Sequence, residues 1–218
     1  MTEYAVAIGG AEAEILEAIA SAAERAGVDW MVTGAMARHL VFGGIHGCRP
    51  GRSTTDWDLG VQVGYWAQFA ALESHLVEGA GFRPDGRQRQ RLHGPAGGMV
   101  DLIPFGGVEA EDGGVHWGRE GEFHLNVAGF REAYTASCRV RLTDTVTARV
   151  VSPPGLAILK VVAWQDRHLE NDRDAEDLAY LLRQYHHLVS EELYERGTGS
   201  GLALCLLFQN GSNLDSMV

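Results

Sequence analysis

The chain has 218 residues, 45% hydrophobic and 22% charged, which is ordinary for a globular protein and excludes disorder as a description of the whole. No stretch approaches the roughly 18 consecutive apolar residues of a membrane span, and Met1-Thr2-Glu3-Tyr4 lacks the basic start of a signal peptide, so a cytoplasmic protein is expected. The net charge of −11 excludes an unspecific DNA-coating role but leaves room for a local basic groove.

Ala11 to Ala26 predicts a helix. Ile15, Leu16, Ile19 and Ala22 share one stripe, and Gly27 follows as a stop. Val28 to Thr33 predicts a short buried strand that ends at Gly34. Ala35 to Val41 predicts a second helix, closed by Phe42-Gly43-Gly44. A loop rich in Gly, Arg and Ser runs from Ile45 to Thr55. In Asp56 to Val63 the apolar residues Trp57, Leu59 and Val61 alternate with Asp56, Asp58 and Gly60, the mark of a strand. Tyr65 to Gly79 predicts a third helix.

Phe82 to Leu92 and Gly98 to Phe105 predict a strand pair joined by residues 93–97. Gly106 to Thr145 is broken by Gly and acidic residues and predicts loops and short strands. Val146 to Val151 is β-branched and strand-like. Ser152-Pro153-Pro154 starts a helix, since Pro is tolerated in a first turn. Three helical segments follow: Leu156 to Trp164, Asp174 to Tyr185, and Ser190 to Leu207, the last containing the helix breakers Gly197, Gly199 and Gly201. The expected organisation is a mixed α/β part over residues 1–150 and a helical part over 151–218.

The informative feature is the placement of three aspartates. Asp56 and Asp58 are two apart on one strand, so both point to one face. Like charges side by side cost stability unless a cation or solvent screens them. Asp101 sits between Val100 and Leu102 in an apolar strand, where a lone carboxylate is expensive unless paired or metal-bound. If the two strands are neighbours, three oxygen donors converge in a set that suits Mg²⁺. A D-x-D alone also fits an exposed strand end. The upstream residues add specificity: Thr33-Gly34-Ala35 turns a strand into a helix whose N–H groups can face an anion, and Arg52-Ser53-Thr54-Thr55 brings a guanidinium and hydroxyls beside Asp56.

Gly34-Ala35, then Arg52-x-Thr54-x-Asp56-x-Asp58, then Val100-Asp101-Leu102-Ile103-Pro104-Phe105-Gly106 resemble the nucleotidyltransferase superfamily that includes polymerase β, and more narrowly the AbiEii/AbiGii-type nucleotidyltransferases. The family's later K-x-x-A-x-x-x-R and D-x-x-D elements have counterparts in Lys160 to Arg167 and Asp174 to Asp177. The resemblance spans about residues 28 to 185. It departs from the family at Ala35, where Gly or Ser is usual, and at Arg173, where Lys is common.

The resemblance implies an α+β fold: a small mixed nucleotidyltransferase sheet flanked by helices, followed by a helical C-terminal part. It also implies transfer of a nucleoside monophosphate from a nucleoside triphosphate to a hydroxyl acceptor, with Mg²⁺ or Mn²⁺. Asp56, Asp58 and Asp101 are then metal ligands and catalytic residues, with Lys160 neutralising charge. Thr33, Gly34, Ala35, Arg52, Ser53 and Thr54 contact the nucleotide. The acceptor is a tRNA end, a protein or a small molecule. A toxin-like role in a toxin–antitoxin or phage-defence system implies an antitoxin protein as partner. The alternative is an inert nucleotide-binding or protein-interaction module on the same fold.

Weaker signals remain. Arg87, Arg89 and Arg91 alternate, which on a strand puts three guanidinium groups on one face, either as an anion contact or as a charged edge. His186-His187 are adjacent on a helix and do not face one ligand. His46, His93, His116 and His124 show no ligand spacing. Trp117 and Trp164 are expected in the core. Asp174, Asp177 and Arg173 also fit ordinary helix-surface charges, and Lys160 a solvated lysine. Cys48, Cys138 and Cys205 are too scattered for a zinc ribbon or a disulfide framework.

Overall fold

A computed structural model of the chain describes residues 4–49, 51, 54–95, 97–117 and 123–195, with the side chains of 186–195 excluded. The elements in chain order are β1 (Tyr4–Ala5), α1 (Gly10–Ala26), β2 (Asp29–Thr33), α2 (Gly34–Arg38), β3 (Asp56–Val63), α3 (Trp66–Ala80), β4 (Arg83–Pro84), β5 (Arg91–His93), β6 (Met99–Gly106), β7 (Gly114–Trp117), β8 (Phe123–Asn126), α4 (Phe130–Thr135), β9 (Cys138–Arg141), β10 (Thr147–Val150), α5 (Pro153–Arg167) and α6 (Arg173–Glu195). After α2 the chain continues helically through His39–Ile45 in wider π-type turns.

Eight strands form one mixed sheet in the order β1-β9-β10-β2-β3-β6-β5-β4, and β7 and β8 form a separate hairpin. The expected mixed sheet flanked by helices is therefore present, and two helices follow its last strand. β2 and β3 are antiparallel, β3 and β6 parallel, and β5 and β6 antiparallel. Trp57, Leu59, Val61 and Val63 of β3 are buried, together with Leu16, Ile19, Leu72 and Leu76 of α1 and α3, which pack against each other. On the opposite row of β3, Gly60 leaves room for Phe130 of α4. Phe105 of β6 is fully buried and touches Phe130 and Tyr134 of α4, each with ring centroids 5.8 Å apart. No described helix is long and apolar enough to cross a membrane.

Local signals account for the helix ends. Gly27 takes the left-handed conformation at φ 63°, and its N–H closes α1 onto Ala23 and Glu24. Ser152 caps α5 by accepting the Gly155 N–H at 3.4 Å, with Pro153 and Pro154 in the first turn.

The structure corrects four expectations. The strand 82–92 is interrupted: Asp85 accepts the backbone N–H groups of Arg87 and Gln88 at 2.7 and 2.9 Å, and the turn it holds leaves only β4 and β5. α4 falls in the stretch expected to hold loops and short strands; six residues are too few for a periodic signal. α6 runs unbroken across 185–190, where no Gly or Pro interrupts it, and residues 196–207 of the expected last helix lie outside the described residues. Trp164 is not in the core; it is exposed and stacks on His168, with ring centroids 5.1 Å apart. Trp117, by contrast, is buried as expected, and Cys48 and Cys138 are half-buried thiols.

Phe105 ties the sheet to α4, so Phe105→Ala leaves a cavity between them. A loss of about 3–5 kcal/mol in unfolding free energy is expected, read by urea denaturation.

Candidate active site

The sheet register places four polar residues in one transverse row. Thr33 of β2 lies opposite Asp58 of β3, Asp58 opposite Asp101 of β6, and Asp101 opposite Arg91 of β5. Residues paired in register share a face of the sheet. Asp56, two residues before Asp58, is on that face at the start of β3. The expected convergence of the three carboxylates therefore follows from β3 and β6 being parallel neighbours.

Each aspartate has its own surroundings. The Thr33 hydroxyl donates to the Asp58 carbonyl at 3.1 Å. The Asp58 carboxylate lies directly over Gly34: a Cβ added there would sit 1.9 Å from Asp58 Oδ2, and Gly34 has φ +63°. Only glycine satisfies both conditions. Asp56 is half-buried, its N–H donating to Thr54 Oγ1 and its carboxylate accepting from Thr55 Oγ1, both at 3.3 Å. Asp101 is buried and receives both arms of the Arg91 guanidinium, at 2.7 and 2.8 Å. Ala35 is buried in α2. Arg52 and Ser53 lie outside the described residues.

Electrostatics marks Asp58 as the strained member. Its pKa is pushed up to about 6, first by burial and then by the charges of Asp101 and Asp56; Lys160 and Arg167 pull in the opposite direction. Arg91 compensates one of the three carboxylates. The two remaining charges are what a divalent cation would offset, and oxygen donors on adjacent strands suit a hard ion such as Mg²⁺ or Mn²⁺. The residues present fit such an ion.

A second set of charges stands behind the row. Asp174 and Asp177, three apart on α6, are both buried rather than on the helix surface. Lys160 Nζ lies 2.9 Å from Asp174 Oδ1 and 2.7 Å from Asp177 Oδ2. Arg167 grips Asp174 at 2.6 and 3.1 Å, and Arg38 of α2 reaches Asp177 at 2.5 Å. Burial alone would push Asp174 up, but the hydrogen bonds from Arg167 and Lys160 outweigh it and hold its carboxyl below the usual range. Among the described residues, three cations, Lys160, Arg167 and Arg38, meet the two carboxylates. Lys160 is therefore a fixed member of an ionic network and not a solvated lysine. Tyr180 of α6 adds to the junction: Arg38 stacks on its ring at 5.1 Å, and its hydroxyl donates to the Arg49 carbonyl at 2.8 Å.

The arginine stripe does not form. Arg91 is on β5 against Asp101, Arg87 lies in the turn, and Arg89 lies 3.9 Å from Glu73. Sequence reasoning missed Arg38 and the separate role of Arg91. The signal for Arg38 was a lone cation in the apolar run Ala35 to Val41. It also read no ligand spacing into the histidines, yet His116 and His124 meet on the β7–β8 hairpin. The side chains of His186 and His187 lie outside the described residues.

No known family model matches this sequence, and no curated protein matches it. Among solved structures, the chain is similar to the crystal structure of ANT(2")-Ia in complex with adenylyl-2"-tobramycin, at 15% identity and a TM-score of 0.48, covering 85% of this chain and 94% of that one. The solution structure of the antibiotic-resistance factor ANT(2'')-Ia has 12% identity and a TM-score of 0.44, with 84% of this chain and 98% of that one covered. An antigenic nucleotidyltransferase-like protein from Paracoccidioides brasiliensis has 14% identity and a TM-score of 0.43, over 86% of this chain and 92% of that one. Likeness at this level concerns the path of the chain and not its chemistry.

The raised pKa of Asp58 has a stability consequence. The folded state holds the Asp58 proton more tightly than the unfolded state, so this group's contribution is full below about pH 4 and lost as pH rises through about 6. In EDTA, Asp58→Asn is expected to be more stable than the natural protein above pH 6, by about 1–3 kcal/mol, with the difference closing near pH 4. Urea denaturation across pH 4–8 reads it. Asp177→Ala removes the buried carboxylate that Arg38 and Lys160 share and is expected to cost about 3–5 kcal/mol.

Proposed function

We propose that this chain is a metal-dependent nucleotidyltransferase that moves a nucleoside monophosphate from a nucleoside triphosphate to a hydroxyl acceptor. The observation that carries the reading is the row Thr33–Asp58–Asp101 with Asp56 beside it: three carboxylates on one face of the sheet, with Asp58 over Gly34 and its pKa raised to about 6. A carboxylate with a raised pKa crowded by two others is an arrangement expected of a functional site.

In this reading Asp56, Asp58 and Asp101 hold Mg²⁺ or Mn²⁺, which when bound polarises the phosphoryl oxygens and neutralises the charge of the leaving pyrophosphate. The chain supplies the rest. Gly34 and Ala35 let the triphosphate approach the backbone, with the Thr33, Ser53 and Thr54 hydroxyls and Arg52 as further contacts. Lys160 and Arg167 are near enough to lower the Asp58 pKa, and their positive charge favours the anionic substrate. The acceptor oxygen attacks the α-phosphorus, the bond between that phosphorus and the bridging oxygen breaks, and pyrophosphate leaves with the electron pair. The acceptor proton passes to Asp101, which keeps free lone pairs beside its bonds to Arg91. In this reading residues 1–150 are the nucleotidyltransferase core, and the part 151–218, whose described residues carry α5 and α6, brings Lys160 and Arg167 to it.

The acceptor is the 3′ end of a tRNA, a protein hydroxyl or a small molecule. A toxin-like role, restrained by a separate antitoxin protein, accords with the sequence motifs. A second reading rests on Arg91: its two-armed grip on Asp101 also suits a module that binds nucleotide without turnover.

The test uses the purified chain with Mg²⁺, each α-³²P-labelled triphosphate, and total tRNA or cell lysate. Label is expected on one acceptor class and to vanish in Asp56→Ala/Asp58→Ala. Absence of both label and pyrophosphate release overturns the transferase. A rise in Tm with Mg²⁺ and triphosphate, under that outcome, assigns the binding module.

A further inference from the structure

The β7–β8 hairpin carries a cluster that the carboxylate row does not use. His116 and His124 are directly opposed across the two strands, with ring centroids 4.7 Å apart. Val115 and Trp117 point to the other face and are buried, Trp117 against Phe69 and Trp66 at 5.8 and 5.6 Å. One side of the hairpin is thus anchored, and the histidine side is presented to solvent.

Asp112 reaches the histidine pair from the turn before β7. Its Oδ1 accepts the Gly114 N–H at 2.9 Å, which fixes the carboxylate. Its Oδ2 lies 3.0 Å from His116 Nε2 and 3.7 Å from His124 Nε2. Gly114 makes this possible: a Cβ at that position would stand 2.2 Å from His124 Nε2. The Gly114 N–H and His116 also hold the Asp112 carboxyl below its usual range, so it is ionised at neutral pH.

We propose that Asp112, His116 and His124 form a binding site for a transition-metal dication of the zinc class, separate from the carboxylate row. The three ligand atoms lie within 4.8 Å of one another. A tetrahedral ion with nitrogen and oxygen ligands at about 2.0–2.1 Å spaces those atoms at about 3.3 Å, between the two separations the carboxylate already makes. Two imidazoles and one carboxylate select zinc-like ions over Mg²⁺, which takes oxygen ligands. Three protein ligands leave a fourth position for water or an incoming ligand. The ion would also join β7 to β8 across the strand pair.

The test is calorimetric titration of the full chain with Zn²⁺, in the Asp58→Asn background so that the carboxylate row is weakened. One equivalent of Zn²⁺ is expected to bind. The affinity is expected to fall at least about tenfold in His116→Ala and in His124→Ala, and to survive in the background alone. His116→Gln/His124→Gln repeats the comparison with polar side chains kept, and near-equal Tm values in EDTA establish that these variants fold. Co²⁺ loaded in place of Zn²⁺ should give visible absorption bands of a low-coordinate site that both histidine variants lose. No Zn²⁺ binding, or binding that is unchanged in the histidine variants, overturns the site.

Discussion

Three carboxylates are brought to one end of a buried sheet, Asp101 among them in direct contact with Arg91, and much of the structure answers that concentration of charge. Asp58 bears the largest part of the cost. It is wedged over Gly34, flanked by Asp56 and Asp101, and its pKa rises to about 6. A protein gains nothing in apo stability from this arrangement. Strained sites of this kind persist when the surrounding structure over-determines them. Here the register of four strands does so, because moving Asp58 would shift the pairing of β3 with both β2 and β6.

The two helices after the sheet supply the counterweight. Lys160 and Arg167, seven apart on α5, face Asp174 and Asp177 on α6, and Arg38 closes the group from α2. Buried ion pairs add little net stability, but removal of one partner is costly. Their effect is positional: α2, α5 and α6 are locked in one arrangement, and Lys160 and Arg167 are held where Asp58 feels them. The network lowers the pKa that burial raises. Removing the α5 cations would leave the row more strained still.

The hairpin follows a different logic. Strand alternation puts Val115 and Trp117 inward and His116 and His124 outward. The aromatic contact with α3 anchors an element that lies outside the main sheet. Its polar face is therefore presented on a fixed support, and Gly114 gives the imidazole of His124 the space to lean toward Asp112.

Local pattern determined much of this protein. Alternation in Asp56 to Val63 marked a strand with both aspartates on one face, and the apolar stripe before Gly27 marked α1 with its stop. The pair Asp101 and Asp58 was legible as a convergence, conditional on the two strands being neighbours. Three things were not legible. Arg38 and Asp177 are 139 residues apart, and nothing in either neighbourhood names the other. The arginine alternation at 87–91 looked like a strand, but the Asp85 carboxylate captured the backbone N–H groups that a strand would have used. The histidine pair depends on the register of a hairpin whose strands are four residues each. Periodicity reports which face a side chain takes on its own element. Which faces then meet is set by packing between segments distant in the chain, and the partners of Lys160, Arg91 and His124 were decided there.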